Sequence, residues 1–124
     1  KDVVNYENLS SIEPLADIDP VGRELMPLFD ELGIDVVLTA HQHTYRRLNH
    51  IFNFEPADHG PFYIDTGVAG DVRYDVPVDP RLDRKVLPQP EVDNYLTPDA
   101  SAHTLHFKCV QPDGSLAGEA VLNK

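Results

Sequence analysis

Near its start the chain passes almost directly from a helix-forming segment to a strand-forming one, and this order constrains the fold most. Residues 19–33 (DPVGRELMPLFDELG) offer Asp19 as a cap, Pro20 for the first helical position and Gly33 for the left-handed position after the helix. Pro27 lacks a backbone donor, so we expect a kink or a restart of the helix there. The apolar spacing i, i+3, i+4 and i+7 predicts one stripe facing a core: Leu25, Leu28, Phe29 and Leu32.

The segment that follows, IDVVLTA (34–40), predicts a strand buried on both faces, because its apolar run is nearly continuous. Helix, short turn and buried strand make up the second half of a βαβ unit, which favours an α/β fold. PFYIDTG (61–67) predicts a second short strand. Gly67 and Gly70 mark a tight turn where that strand ends.

The last part of the chain predicts a β-hairpin over residues 104–122, from alternating apolar residues, a QPDG turn and a return strand. Residues 71–98 hold five of the eleven prolines and predict a long loop, because proline at that density excludes helix and central strand. Residues 1–18 show no period and predict an irregular first segment. We therefore expect a single segment of four parts: 1–18, 19–70, 71–98 and 99–124.

Composition excludes some classes of function. The 124 residues carry 21 acids and 10 bases, a net charge of −11, which argues against a nucleic-acid or anionic-membrane surface. No apolar run approaches the roughly 20 residues of a membrane span. The single cysteine, Cys109, lies in a strand pattern and predicts an inert, half-buried thiol. The chain opens on Lys1, so we expect a piece of a longer protein, and the compartment stays unknown.

The residues His41 and His43, in VVLTAHQHTYRR (36–47), are the candidates for chemistry. In an extended strand two residues one apart share a face and lie roughly 7 Å from each other. Imidazole is the commonest metal ligand, so the pair fits a metal site, although surface or core histidines give the same pattern. A zinc β-lactamase-like site needs Asp-His where Tyr45 and Arg46 stand. An amidohydrolase needs over 200 further residues.

The string PLFDELGIDVVLTAHQHTYRR, followed by a spacer and FYIDTGVAGD, resembles the calcineurin-like metallophosphoesterases in their purple-acid-phosphatase-like branch. The likeness covers about residues 20–71, and the terminal hairpin resembles the last strands of that family. It implies the C-terminal part of a metallophosphoesterase β-sandwich flanked by helices and ending in a hairpin, an α/β or α+β fold. It also implies a phosphatase that hydrolyses phosphate mono- or diesters.

The resemblance assigns roles to particular residues. His41 and His43 match two ligands of a pair of metal ions (Fe, Mn or Zn), one for each ion. Tyr45 and Arg47 match residues that shape the pocket rim, and Gly67 and Gly70 match a turn packed near the site. Other positions depart from the family pattern: Ala40, Arg46, Val68 and Asp71.

The other metal ligands of the family are absent from this sequence, and we expect them upstream of Lys1. The partner of the chain would then be the missing N-terminal portion of the same enzyme. The fragment alone is expected to be inactive, to bind metal weakly or not at all, and to self-associate through the open edge of strand 34–39. Residues 71–98 are a candidate specificity lid. The alternative is a non-catalytic binding or structural module that retains a degenerate metal site.

The remaining polar residues have ordinary interpretations. Arg46 and Arg47 either hold phosphate or form local ion pairs. Asp65 either caps the glycine turn or hydrogen-bonds a metal-holding histidine. The scattered histidines are not expected to be ligands: His50, His59, His103 and His106. The tyrosines Tyr63, Tyr74 and Tyr95 are expected to pack with a solvated hydroxyl.

Overall fold

A computed structural model of the chain describes residues 20–70, 72–73, 78, 80–88 and 90–124. Within them one helix and two β-sheets make a mostly β, α+β fold. The helix is α1 (Pro20–Leu32). The strands in chain order are β1 (Val36–Thr39), β2 (Thr44–Phe52), β3 (Glu55–Ala57), β4 (Phe62–Gly67), β5 (Asp83–Val86), β6 (Tyr95–Ala100), β7 (Thr104–Val110) and β8 (Leu116–Asn123).

The first sheet has the strand order β1-β4-β2-β3. Strand β3 pairs with the last part of β2, and β5 pairs with an earlier part of β2. Strands β1 and β4 are parallel, with Thr39 beside Asp65, so both end on the same side of the sheet. Strand β2 runs antiparallel to β4, and its first residue, Thr44, lies opposite Gly67. The second sheet is an antiparallel meander, β6-β7-β8.

Two apolar clusters cover the two faces of the first sheet. One lies on the helix side and consists of Met26, Leu48, Ile51, Tyr63 and Leu82, with Phe29 packed against it. The other joins the two sheets and consists of Tyr45, Phe62, Ile64, Leu87, Phe107, Cys109 and Ala120. The described part of the chain is therefore layered as helix, sheet and sheet, with the first sheet in the middle.

The ends of α1 follow the sequence signals. Gly33 has φ 62°, and its N–H donates to Asp30 O at 3.2 Å while the N–H of Ile34 donates to Phe29 O at 3.0 Å. These two bonds form a Schellman cap, so the prediction for Gly33 is confirmed. The helix runs through Pro27 as one element and does not restart. The predicted cap Asp19 and the segment 1–18 lie outside the described residues.

The predicted core stripe of α1 is wrong except at Phe29. Leu25, Leu28 and Leu32 are 36%, 43% and 64% exposed, whereas Gly22 and Met26 are buried. Residues 22, 26 and 29 fit the helical period as well as the predicted set does, so α1 carries two neighbouring apolar stripes. Periodicity alone does not decide which of them meets the sheet.

The strand predictions hold in part. Strands β1 and β4 both form where they were predicted, and β4 is buried on both faces. The predicted burial of β1 on both faces is wrong, since Leu38 is 49% exposed on what is an edge strand of the described sheet. The terminal hairpin is confirmed as β7 and β8. The segment 71–98 is not only a loop, because it contains β5 and part of β6. Both are edge strands, where Pro98 is tolerated without a ladder donor.

Strand β2 was not predicted at all, although it is the longest strand described. None of the described helices is long and apolar enough to cross a membrane.

Candidate functional site

Residues 40–43, here called the histidine loop, connect the end of β1 to the start of β2. The predicted strand geometry for His41 and His43 is wrong, because β1 ends at Thr39. The pairing of Thr44 with Gly67 nevertheless puts the loop beside the glycine turn that follows β4. The loop therefore lies at the carboxyl ends of two parallel strands, a common location for ligand sites in open sheets.

The backbone of the histidine loop is strained. His41 has φ 98° and His43 has φ 50°, both in a region that residues with a Cβ rarely adopt. The φ of His43 falls within the range of left-handed helical residues, whereas the φ of His41 lies beyond that range. Such conformations cost about 1–3 kcal/mol each and concentrate at functional sites, where the surrounding structure holds them.

The ring of His43 is held by the backbone. Its Nδ1 lies 3.1 Å from the carbonyl oxygen of Val72. A carbonyl only accepts hydrogen bonds, so Nδ1 carries the proton and Nε2 is the acceptor atom of the neutral ring. Metal-binding histidines commonly have this arrangement, with the distal N–H donated to a carbonyl or carboxylate. His41 is exposed.

The glycine turn beside the loop needs glycine at Gly67. This residue has φ 112°, and a Cβ there would come within 2.5 Å of Asn94 Oδ1 and 2.9 Å of Asn94 O. Gly70 has φ 98° and open space around it. Val68, a departure from the family pattern, is buried, and its carbonyl accepts the N–H of Asn94 at 2.8 Å.

Glu91 anchors the start of β2 next to the histidine loop. Its carboxylate accepts the hydroxyl of Thr44 at 2.6 Å, the N–H of Tyr45 at 2.7 Å and the side-chain amide of Asn94 at 2.6 Å. Glu91 and Asn94 are both buried. Sequence reasoning missed them, since no motif or period marks either residue within the proline-rich stretch.

Asp65 is buried at the end of β4 and accepts a hydrogen bond from the hydroxyl of Thr39 at the end of β1. The bond ties together the two parallel strands that lead into the histidine loop and the glycine turn. A hydrogen bond that Asp65 accepts from a metal-holding histidine stays a prediction.

Tyr45 and Arg47 connect the second sheet to the first, and their place at a pocket rim stays a prediction. Tyr45 is completely buried in the cluster between the sheets, and this burial raises the pKa of its hydroxyl. Arg47 donates from Nη1 to Glu119 O in β8 at 2.7 Å. Arg46 is fully buried and makes two bonds to Asp83, at 2.5 and 2.6 Å, which confirms the ion-pair alternative.

The remaining histidines have ordinary contacts. The Nδ1 atoms of His50 and His59 lie near Gly60 O and Asp58, and His106 Nε2 lies 3.1 Å from Glu119. Across the described ranges, no three His, Cys, Asp or Glu side chains gather as a metal site would require. Two imidazoles cannot fill a four-coordinate shell. The described residues therefore do not fit a complete metal centre.

Comparison with known proteins gives one partial likeness. A stretch of 50 residues is 34% identical to Purple acid phosphatase 23 of Arabidopsis thaliana, and it makes up 40% of this chain but only 11% of the plant protein. No family model matches the chain, and no solved structure matches it. The likeness suggests a phosphatase-like origin for the chain.

Proposed function

We propose that this chain is the C-terminal part of a dinuclear-metal phosphoesterase that hydrolyses phosphate mono- or diesters. In this proposal His41 and His43 each supply one ligand to the two ions. The observation that carries it is the histidine loop, two histidines with positive φ at the end of two parallel strands. Nothing in folding alone favours histidine over glycine or asparagine at such positions, so a functional reason for the side chains is the better account.

Two further observations support the proposal. The hydrogen bond between His43 Nδ1 and the Val72 carbonyl is an arrangement that metal-binding histidines commonly have. Independently, the partial likeness to a purple acid phosphatase points to the same class of hydrolase. The proposed metal pair is Fe, Mn or Zn, in a combination that the two histidines do not specify.

The ligand count limits what the chain does alone. Two imidazoles cannot hold two ions, and in this proposal the remaining ligands lie upstream of Lys1, as the family resemblance implies. We expect the isolated chain to show no metal-dependent hydrolysis of p-nitrophenyl phosphate or of its bis-ester. Turnover that depends on His41 and survives repurification would contradict this.

The decisive experiment uses the longer enzyme that contains this segment. His41→Ala and His43→Ala should each lower the bound metal and abolish turnover while the unfolding midpoint changes little. His103→Ala, an exposed histidine in the β6–β7 turn, is the matched control and should keep both metal and activity. Near-normal metal content and rate in either loop variant would mean that these residues are not ligands.

A second candidate function is a non-catalytic module with a degenerate site. Ala40 and Val68, which stand where the family pattern has glycine, favour it. The same metal analysis separates the two: a non-catalytic module would contain no stoichiometric metal in the longer protein, with or without the histidines.

A further inference from the structure

A groove of about 600 Å³ lies between β8 and the strands β2, β3 and β5 of the first sheet. We call it the arginine groove, and its lining includes Arg47, His50, Asp58, Phe62, Arg84, Ala120 and Leu122. Phe62 begins β4 and Gly67 ends it, so the groove and the histidine loop lie at opposite ends of that strand. Their separation along β4 is roughly 17 Å at about 3.3 Å per residue. The groove is therefore a different site from the histidine loop.

Two guanidinium groups line the arginine groove of a chain whose net charge is −11. Arg84 is exposed, and no ion pair or hydrogen bond engages its side chain within the part of the chain that the structure describes. Arg47 uses Nη1 for Glu119 O and has four other N–H donors. The acid at the groove, Asp58, is exposed and already paired with His59 at 2.7 Å.

The floor of the groove is apolar and carries one oriented acceptor. Phe62, Ala120 and Leu122 provide carbon surface, and His50 packs edge-on against Phe62 at a centroid distance of 5.7 Å. The Nδ1 of His50 lies 2.6 Å from Gly60 O, so Nδ1 carries the proton and Nε2 remains as an acceptor. Carbon surface, two cations and one oriented acceptor together suit an amphipathic ligand.

We propose that the arginine groove binds a small organic anion with a flat apolar body. Its carboxylate or phosphate-type head would pair with Arg84 and Arg47, because guanidinium groups bind oxyanions through paired N–H donors. The apolar body would lie on Phe62 and Leu122. The volume falls within the range of about 300–1,000 Å³ that is usual for small-molecule sites. This proposal does not depend on the phosphoesterase assignment.

The experiment titrates the 124-residue chain with four probes and follows backbone amide shifts by NMR. Phenylphosphonate and phenylacetate carry both the ring and the anion, inorganic phosphate lacks the ring, and benzyl alcohol lacks the charge. We expect both aromatic anions to bind more tightly than the other two probes, with shifts at Arg84, Phe62 and Leu122. The ratio of the dissociation constants of phenylphosphonate and phenylacetate shows whether the groove prefers a phosphate-type head or a carboxylate.

Arg84→Gln should weaken binding of the aromatic anions about tenfold, the size expected for one lost charge-assisted contact. Lys85→Gln is the matched control, because Lys85 is the exposed neighbour on β5 and does not line the groove. Equal loss in both variants would indicate only a general charge effect and would overturn the proposal. The absence of binding at millimolar probe, or shifts confined to residues 40–43 and 67–70, would overturn it as well.

Discussion

Gly118 of β8 lies directly against the ring of Tyr45 in β2. A Cβ atom on Gly118 would come within 2.6 Å of Tyr45 Cε1 and 2.9 Å of its hydroxyl oxygen. The ring of Tyr45 thus occupies the space that a side chain at residue 118 would need. The close approach of the two sheets at this point depends on a glycine opposite a large aromatic ring.

We expect Gly118→Ala to destabilise the chain by about 1–3 kcal/mol, because the added methyl group overpacks the core between the sheets. Urea unfolding followed by circular dichroism measures the effect. In a Tyr45→Leu background the cost of Gly118→Ala should shrink, and the double-mutant cycle isolates the contact. An equal cost in both backgrounds would show that Tyr45 is not the cause.

Replacing Glu91 by glutamine should loosen the start of β2. The amide of glutamine can accept fewer bonds than the carboxylate, which now accepts three. We expect a loss of about 1–3 kcal/mol and faster hydrogen exchange at the amides of residues 41–45. Glu55→Gln, at an exposed carboxylate in β3, is the control and should change neither quantity.

A glycine at residue 41 should separate stability from function. His41 has φ 98°, which glycine adopts without strain, so His41→Gly should raise the stability of the 124-residue chain by about 0.5–1 kcal/mol. In the proposed longer phosphoesterase the same change should abolish metal-dependent turnover. His103→Gly lacks a positive φ to relieve, so it should destabilise slightly. A destabilised His41→Gly chain would argue against strain at this position.

Cys109 should make the chain sensitive to alkali. Burial raises the pKa of its thiol from an ordinary value near 9 to about 12, with a smaller contribution from Glu91. The folded state then holds a proton that the unfolded state loses between about pH 9 and pH 12, so stability is complete below pH 9 and falls as the pH rises through this window.

At pH 10 the loss assigned to the Cys109 thiol is about 1 kcal/mol, measured as the difference in unfolding free energy from pH 8. A Cys109→Ala chain, although less stable overall, should lose correspondingly less stability between these two pH values. The buried Tyr45 also has a raised pKa and contributes in both chains. An identical alkaline loss with and without Cys109 would contradict the assignment.

The isolated chain should self-associate through α1 and the edge of β1. Val21, Leu25, Leu28 and Leu32 make an exposed apolar stripe on α1, and Leu38 is exposed on β1. Leu32→Lys should shift the chain towards monomer in sedimentation velocity. Leu116→Lys, at a similarly exposed leucine on β8, should not. If the unmodified chain sediments as a monomer at high concentration, the prediction of self-association is wrong.

The sequence predicted the elements that have local signals and missed those that depend on distant partners. The Schellman cap at Gly33 and the terminal hairpin were predictable because the residues that define them are adjacent in the chain. Strand β2 was not, since Thr44, Tyr45 and Arg46 are buried in succession, against the alternation expected of a half-buried strand. Arg46 is buried where Asp83, 37 residues away, pairs with it.

In the candidate site, too, local features were predictable and long-range contacts were not. The histidine pair was found from its spacing and its position after a strand-forming run. The contact of His43 with the Val72 carbonyl and the buried carboxylate of Glu91 were not predictable, since each depends on a contact across many residues. No local signal in the sequence marked the positive φ of His41. Long-range contacts of this kind leave no periodic pattern in a single sequence.

The stretch that bridges the two sheets carries prolines at residues 80, 88, 90 and 98, close to Leu82, Leu87, Glu91 and Asn94 in the core. Each pyrrolidine ring fixes one φ angle in the unfolded chain as well as in the folded one. The bridge therefore loses less conformational entropy on folding than an ordinary connection of the same length would. The part of the candidate specificity lid that carries these prolines is in this respect preorganised, and its restricted chain helps to keep Glu91 in place beside Thr44 and Tyr45 at the start of β2.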